Sequence, residues 1–407
     1  MARFEFRDLD FSEEKDGGKH LVKVIFMRIY YFHLQSHELE SIGKFKTGSH
    51  FIEFDCSEER AAKRFNQLLA KGFESLKCGV SGLPTVYIHK NSNIPIIGAG
   101  SFGLIDRNTN CIEVKPLTCC NLDCVFCSVD AGKSTKKAYE FVVEAEYLAE
   151  QFNLLVEKKE HPVEAHIGPQ GEPLMYAPIV ELVRMLRENP KVKIISIDTN
   201  GTLLTKKLID DLAEAGLTRL NISLQATDEK RCNMMAGTAF NLKHVLEMID
   251  YAKTRLNVLL APVIVPGMND NELALLVEKG KGIKSDYPSM GIQNFLNYKR
   301  GRNPAKQRSW EEFFASLKEL ERKKGMKLKL SKEDFGIMAD TKLEKPFKRR
   351  DMIKAVIVAP GLYANEKIAA AKGRAILVDN AKSIAINSTV KLSIVRDKHN
   401  IFRGVLA

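Results

Sequence analysis

Three cysteines lie within one short loop of the chain, Cys120, Cys124 and Cys127, at the spacing Cys-x3-Cys-x2-Cys. They follow the apolar run 111–117, which is typical of a buried strand. Thiolates in so tight a loop can converge on one inorganic centre. Three ligands suit a cubane cluster whose fourth iron stays open for a small molecule, much as a catalytic zinc site keeps one position free. The spacing therefore predicts a [4Fe-4S] cluster at these cysteines.

Two other uses of the cysteine loop stay open, a zinc knuckle and a set of buried free thiols. Zinc requires a fourth ligand, and no Cys or His follows at knuckle spacing. Cys119 is adjacent to Cys120, so we expect its side chain to point the other way along the backbone. Cys56, Cys78 and Cys111 are widely spaced, which favours structural thiols over an auxiliary cluster.

Composition indicates a globular protein with a sizeable core. The chain has 407 residues, enough for two or three domains. It contains no run of about 18 apolar residues, so we expect no membrane span and no membrane partner. No disulfide framework and no signal peptide are recognisable, which predicts a cytoplasmic location. The net charge of +11 favours a polyanionic partner, nucleic acid above all.

Residues 1–100 are predicted to form an N-terminal α+β module. Strands are predicted over 21–30, 50–54 and 85–88, because these runs are rich in β-branched and aromatic residues. A helix is predicted over 57–69, since a serine cap and two glutamates begin it.

Residues 101–330 alternate strand and helix patterns. After the first strand, strands are predicted over 163–168, 192–197, 219–224, 257–265 and 290–296. Helices are predicted over 138–157, 174–188, 208–215, 242–254, 272–279 and 310–324. Six successive βα units predict an α/β fold with a parallel sheet and right-handed crossovers. Cofactor chemistry is then expected at the C-terminal ends of the strands.

The cysteine loop, with Phe126 just before its third cysteine, resembles that of the radical S-adenosylmethionine (SAM) superfamily. This resemblance implies a partial (β/α)6 radical SAM barrel. It also implies SAM-binding residues at strand ends, namely Gly171, Glu172, Asn200, Ser223, Gln225 and Val265. Glu172 can accept a hydrogen bond from the ammonium of SAM, whereas Gln225 replaces a more usual acidic residue. The stretches 168–173 and 198–202, taken alone, also read as ordinary turns.

Two further stretches have open interpretations. His166 lies among apolar neighbours in a predicted strand, which favours a histidine satisfied at the sheet end over a ligand. The basic run 298–302 follows the sixth predicted strand. It can hold the carboxylate of SAM or a substrate phosphate, and it reads equally well as a solvated loop.

Residues 345–407 are predicted to form a small β-barrel, with strands over 355–358, 373–378, 389–395 and 401–406. From Lys342 to Ala407 there are 14 Lys and Arg against 5 Asp and Glu, so +9 of the net +11 lies here. The segment resembles a TRAM domain, an OB-like RNA-binding barrel, which implies RNA binding by a basic surface. A barrel that only shields the active site is the alternative.

The chain as a whole resembles archaeal radical SAM proteins of unassigned function that carry a C-terminal TRAM-like domain. The resemblance implies reductive cleavage of SAM at the cluster to a 5′-deoxyadenosyl radical, with ferredoxin or flavodoxin as electron donor. RNA, tRNA in particular, is the favoured substrate. The alternatives are the same chemistry on a peptide, lipid or coenzyme, and a non-catalytic RNA-binding protein with a structural metal centre. No catalytic residue is assigned.

Overall fold

The N-terminal part of the computed structural model, which describes residues 1–407 apart from the side chain at position 16, is an α+β module. Its elements are β1 (Ala2–Glu5), β2 (Leu9–Asp16), β3 (Lys19–Phe26), β4 (Tyr30–Gln35), α1 (Ser36–Glu40), β5 (Phe45–Gly48), β6 (Phe51–Phe54), α2 (Glu58–Glu74), β7 (Lys77–Cys78) and β8 (Thr85–Ile88). The single strand predicted over 21–30 is wrong. The chain reverses at Met27 and Arg28, whose φ angles are 49° and 67°, and β4 pairs back on β3.

The central part forms the partial barrel that the sequence predicts. Its elements are β9 (Gly103–Asp106), β10 (Cys111–Lys115), β11 (Glu140–Val143), α3 (Ala145–Val156), β12 (Val163–Ile167), α4 (Ile179–Arg187), β13 (Val192–Thr199), α5 (Lys206–Glu214), β14 (Arg219–Ile222), α6 (Glu229–Ala236), α7 (Leu242–Ala252), β15 (Asn257–Leu260), β16 (Val263–Ile264), α8 (Leu273–Lys281), β17 (Gln293–Asn294) and α9 (Trp310–Lys324). The sheet order is β15-β14-β13-β12-β10-β9, parallel except for β9. Strands β16 and β17 form a separate parallel pair.

Several predicted elements in this part have different bounds. The helix predicted over 138–157 begins as β11, which pairs with β8, and becomes helical only at Ala145. The helix predicted over 174–188 begins only after Pro178. The strand predicted over 257–265 divides at Pro262, which has no N–H to give to a neighbouring strand. The sixth predicted strand is reduced to β17.

The two faces of the central sheet differ in polarity. One face carries the buried apolar side chains of alternate residues, such as Ile112, Ile167 and Leu220, which share a core with the surrounding helices. The other face carries polar side chains at the intervening positions, including His166 and Arg219. Strands of parallel sheets are usually apolar on both faces. The face that points away from the helices, which is the inside of the barrel, is therefore polar.

The C-terminal part is a closed small barrel, as predicted. Its strands are β18 (Met352–Pro360), β19 (Lys367–Ala371), β20 (Arg374–Asp379), β21 (Thr389–Arg396) and β22 (Arg403–Leu406), in the order β18-β19-β20-β22-β21. The alanine-rich strand β19 was not predicted. The barrel is joined to the central part by backbone hydrogen bonds, in which Ala375 N donates to Ile97 O at 2.8 Å and Phe402 N donates to Gly98 O at 2.9 Å.

The domain boundaries at 1–100, 101–330 and 345–407 stay predictions. The N-terminal module and the central part share one hydrophobic core, and the β8–β11 pairing crosses between them. Among the helices described, none is long and apolar enough to cross a membrane.

Candidate functional site

The cysteine loop lies between β10 and β11, at the C-terminal end of the first parallel strand. Cys120 Sγ accepts a hydrogen bond from Leu122 N at 3.4 Å, and Cys127 Sγ accepts one from Ala131 N at 3.3 Å. Such N–H groups favour a thiolate, because they place positive charge beside the sulfur. Cys119 points away from the loop, as predicted, and its Sγ lies 3.5 Å from the Tyr30 hydroxyl in the N-terminal module.

Close backbone packing holds the loop in place. Gly171 has a φ of 67°, and a Cβ at this position would lie 2.4 Å from the carbonyl oxygen of Cys119. The next residue, Glu172, donates its N–H to the same oxygen at 2.9 Å. A Cβ at Gly237, which ends α6, would lie 2.2 Å from the carbonyl oxygen of Asp123. Only glycine allows these two segments to approach the loop so closely.

Arg302 ties the loop together from the opposite side. Its guanidinium donates to the carboxylate of Asp130 at 2.8 Å, pairs with Asp123 at 2.9 Å, and donates to the carbonyl oxygens of Asp123, Cys124 and Ala131. This is the fork geometry that arginine provides and lysine does not. Neither open interpretation of the basic run 298–302 describes Arg302, because the loop backbone and its two aspartates take up its donors.

Glu172 is enclosed and already carries several hydrogen bonds. Its carboxylate accepts from Thr199 Oγ1 at 2.7 Å, from Asn200 N at 2.8 Å and from Leu174 N at 3.0 Å. Burial raises its pKa to about 7. These hydrogen bonds turn the carboxylate toward the end of β13 and position Asn200. The bond to the ammonium of SAM that the resemblance implies stays a prediction.

Asn200 lies beside the cysteine loop. Its Nδ2 is 4.0 Å from Cys120 Sγ and donates to Asn121 Oδ1 at 2.9 Å. Its Oδ1 accepts from Thr202 Oγ1 at 2.6 Å, and Asn121 Nδ2 donates to the same hydroxyl oxygen at 2.8 Å. This network joins the end of β13 to the loop that carries the thiols.

The remaining predicted SAM-binding residues lie at neighbouring strand ends. Ser223 N donates to Thr199 O at 2.8 Å, directly after β14. Gln225 Oε1 accepts from Val263 N at 2.8 Å, so its amide fixes the start of β16. Val265 is fully buried in a small apolar cluster that Phe126 of the cysteine loop also contacts. The six predicted residues therefore lie at the same end of the sheet as the cysteine loop, and their role as ligands stays a prediction.

The donor atoms of the cysteine loop decide which kind of inorganic centre fits it. Within the part of the chain that the structure describes, no three Cys, His, Asp or Glu side chains converge on a point that one metal ion could occupy. Three thiolates alone leave a zinc ion one ligand short of the four that it takes in structural sites, whereas a cubane takes each thiolate on a different iron. Burial raises the pKa of the Cys120 thiol and raises that of Cys124 to about 12. Iron must therefore displace protons from buried thiols on binding.

Comparison with known proteins agrees with this geometry. The model of the radical SAM superfamily matches residues 114–280. An uncharacterized protein of Methanocaldococcus jannaschii is 38% identical over 355 residues, which cover 80% of this chain and 82% of that protein. The chain belongs to the radical SAM superfamily. Its cofactors are accordingly SAM and a [4Fe-4S] cluster, for which the cysteine loop is the fitting site.

Other similar proteins match over a smaller share of their length or more distantly. GTP 3′,8-cyclase of Listeria welshimeri is 36% identical over 168 residues, which cover 40% of this chain and 47% of the cyclase. The chain thus spans about half the length of that relative. The solved structure of SuiB from Streptococcus suis bound to SAM is 16% identical, covers 81% of this chain and 72% of SuiB, and has a TM-score of 0.43.

Sequence reasoning missed the residues that hold this radical SAM loop in shape. Arg302, Asn121 and the aspartates that pair with Arg302 were not assigned this role. One signal was available, since Asp123 and Asp130 both lie within or beside the cysteine loop, and buried carboxylates are usually paired with a cation. The sequence does not show which of the chain's many basic residues supplies it.

Proposed function

We propose that this radical SAM enzyme modifies RNA, with tRNA as the favoured substrate. The observation that supports it most strongly is the outer surface of β18 and β21. Lys354 and Lys391 lie directly opposite each other across these antiparallel strands, and both are exposed. Like charges at this position destabilise a sheet. A fold keeps such a pair at a cost in stability, which a polyanionic partner offsets.

The surroundings of these lysines support a nucleic-acid partner. We call the outward residues Met352, Lys354, Val356, Thr389, Lys391 and Ser393 the lysine face. Among the described residues, no carboxylate lies within 4.0 Å of either ammonium, since neither takes part in an ion pair. Met352 and Val356 are exposed apolar side chains beside them. Cations interleaved with apolar groups suit both the phosphates and the bases of RNA.

The barrel is attached close to the cysteine loop. Arg300, two residues before the arginine that braces the loop, pairs with the buried carboxylate of Glu366 and stacks on Tyr363 at 3.9 Å. Ala138 N, in the segment after the cysteines, donates to Leu362 O at 2.7 Å. These contacts support a fixed geometry in which RNA held by the barrel reaches the end of the central sheet.

Different residues of the chain are proposed to bind the cluster and SAM. When bound, the cluster would supply the one-electron reduction that cleaves SAM, with ferredoxin or flavodoxin as the proposed reductant. Cys120, Cys124 and Cys127 hold it. The strand-end residues Gly171, Asn200 and their neighbours orient SAM.

The test is a filter-binding titration of bulk tRNA at two salt concentrations. We expect Lys354→Glu/Lys391→Glu to weaken binding by about tenfold and to reduce the log–log salt slope by about 2, because two phosphate contacts are lost. The matched control is Lys243→Glu/Lys318→Glu, which makes the same charge change at exposed positions on α7 and α9. Equal affinities of the two double variants would contradict the proposal.

A free nucleotide is the second candidate substrate. The likeness to GTP 3′,8-cyclase over 40% of the chain supports it, since that enzyme acts on GTP. If the wild-type protein does not bind tRNA in the titration, this candidate replaces RNA. A peptide, lipid or coenzyme substrate has no comparable support among the residues described.

A further inference from the structure

A closed ring of hydrogen bonds lies on the polar inner face of the central sheet, and the site described above does not use it. We call it the polar ring, and its members come from β12, β13 and β14: Glu164, His166, Ser196, Asp198, Arg219 and Asn221. Arg219 donates to Asn221 Oδ1 at 2.9 Å and to Glu164 Oε1 at 2.8 Å. Asn221 Nδ2 donates to Asp198 Oδ1 at 2.8 Å.

The other half of the ring fixes the protonation of His166. Ser196 Oγ has one proton, and it donates this proton to Glu164 Oε1 at 2.6 Å. His166 Nδ1, 2.8 Å from the same oxygen, must therefore be the donor there. His166 Nε2 lies 3.1 Å from Asp198 Oδ2, which as a carboxylate oxygen only accepts. Both ring nitrogens of His166 thus carry protons, and the polar ring balances two cations against two carboxylates.

The polar ring is open on one side only. The side chains of Glu164 and Arg219 are 5% and 4% exposed, whereas those of His166 and Asp198 are 21% and 32% exposed. Both donors of His166 are already used. Asp198 accepts one hydrogen bond on each oxygen, which leaves each oxygen a further lone pair. The accessible side of the polar ring therefore offers acceptors and no free donor.

The position of Asp198 suits a substrate group. It lies two residues before Asn200, at the end of β13 and next to the residues predicted to bind SAM. A Cβ at Gly168, which has a φ of 136°, would lie 2.8 Å from the Cβ of Asp198. Glycine at this position keeps the approach to the carboxylate free of a side chain.

We propose that Asp198 receives N–H donors of the substrate base, and that this base is guanine. Among the common bases, only guanine presents two adjacent donors, N1–H and the N2 amino group, which a carboxylate can accept side by side. Uracil presents one N–H between two carbonyl oxygens. These oxygens are acceptors, so the carboxylate of Asp198 would repel them. The inference rests on the proposed function in one respect, namely that the substrate contains a nucleobase.

The experiment is an isothermal titration of the SAM-loaded protein with free nucleosides. We expect guanosine to bind about tenfold more tightly than uridine or inosine, because inosine lacks the N2 donor. Asp198→Asn should remove this preference. The matched control is Glu113→Gln, the same carboxylate-to-amide change on the same sheet face at a side chain only 12% exposed and outside the polar ring. It should leave guanosine affinity within about twofold.

The inosine comparison uses the wild-type protein, so it holds even if Asp198→Asn fails to fold. The inference is wrong if guanosine, inosine and uridine bind the wild type equally, or if none binds. It is also wrong if folded Asp198→Asn and Glu113→Gln lose guanosine to the same extent. Guanosine binding that depends on Asp198 without any tRNA binding would keep this inference and remove the RNA proposal.

Discussion

The cysteine loop and the lysine face both depend on basic side chains, but in opposite ways. The guanidinium of Arg302 donates all its hydrogen bonds inside the protein, to two aspartates and three backbone carbonyls of the cysteine loop. Lys354 and Lys391 are exposed and face each other. The charge at the loop stabilises the cofactor site, whereas the charge on the barrel is available to a partner. Variants of the two regions should therefore fail in different assays.

The largest expected effect comes from Cys124→Ala. A site-differentiated cubane needs three thiolates, so this change should abolish formation of 5′-deoxyadenosine from SAM under reduction and remove most of the iron. The measurement combines iron analysis of anaerobically purified protein with chromatography of the SAM products. The tRNA affinity of the variant should match that of the wild type. Full SAM cleavage by Cys124→Ala, or stoichiometric zinc in place of iron, would contradict the assignment.

Arg302→Lys should have the next largest effect. Lysine keeps the charge but cannot reach several acceptors at once, so the cysteine loop should loosen and iron occupancy should fall by about half or more. Cluster absorbance per protein is the measurement. Arg255→Lys is the control, since Arg255 pairs with Asp210 alone at a half-exposed position. Equal iron content in the two variants would show that Arg302 does not brace the loop.

The pH dependence of stability should separate His166 from the lysines of the barrel. Burial lowers the pKa of His166, but the carboxylate of Asp198 overcomes this and raises it to about 9. The folded protein thus holds a proton that the unfolded chain releases. The resulting stability is fully present below pH 6.5 and is lost as pH rises through 9, about 3 kcal/mol in all.

Denaturant titrations across this range should show that loss in the wild type and a flatter profile in His166→Gln. Lys354→Glu/Lys391→Glu should keep the wild-type profile, because the lysine face does not contact the polar ring. A His166→Gln profile that falls as steeply as the wild type between pH 6.5 and 9 would mean that His166 is not protonated in the fold.

Glu172→Gln should have the smallest effect. The amide keeps the shape of the side chain but turns one acceptor into a donor, opposite either Asn200 N or the Thr199 hydroxyl. We expect a loss of about 1–3 kcal/mol in unfolding free energy and a SAM affinity reduced by less than about tenfold. Isothermal titration with SAM is the measurement. A complete loss of SAM binding with the cluster intact would support the direct bond to SAM that the resemblance implies.

The sequence predicted those features that a local pattern encodes. The helix predicted over 310–324 matches α9, and the structure shows why its ends are sharp, since Ser309 caps its start and Gly325 ends it. The three cysteines were found by spacing alone. The strand β11 was missed, since its apolar residues fit a helical pattern equally well until its pairing with β8 is known. A local sequence pattern therefore predicts a helix or strand correctly only when its conformation does not depend on pairing with a distant segment.

The polar ring could not be predicted from local sequence patterns, because it too depends on distant partners. Its members are up to 57 positions apart, from Glu164 to Asn221, and only the strand register brings them together. A hint was present in the alternation of polar and apolar residues along β12, β13 and β14, which is unusual for a parallel sheet. The alternation indicates a polar interior, but it does not show which carboxylate stays open to a substrate.

The most direct measurement is nucleoside mass spectrometry of tRNA from a strain that lacks the gene, after incubation with the protein, SAM and a reductant. We expect a guanosine-derived nucleoside of altered mass that forms together with 5′-deoxyadenosine. It should be absent with Cys124→Ala and reduced with Lys354→Glu/Lys391→Glu. Cleavage of SAM with no change in the mass of any tRNA nucleoside would contradict the claim that this radical SAM enzyme acts on RNA.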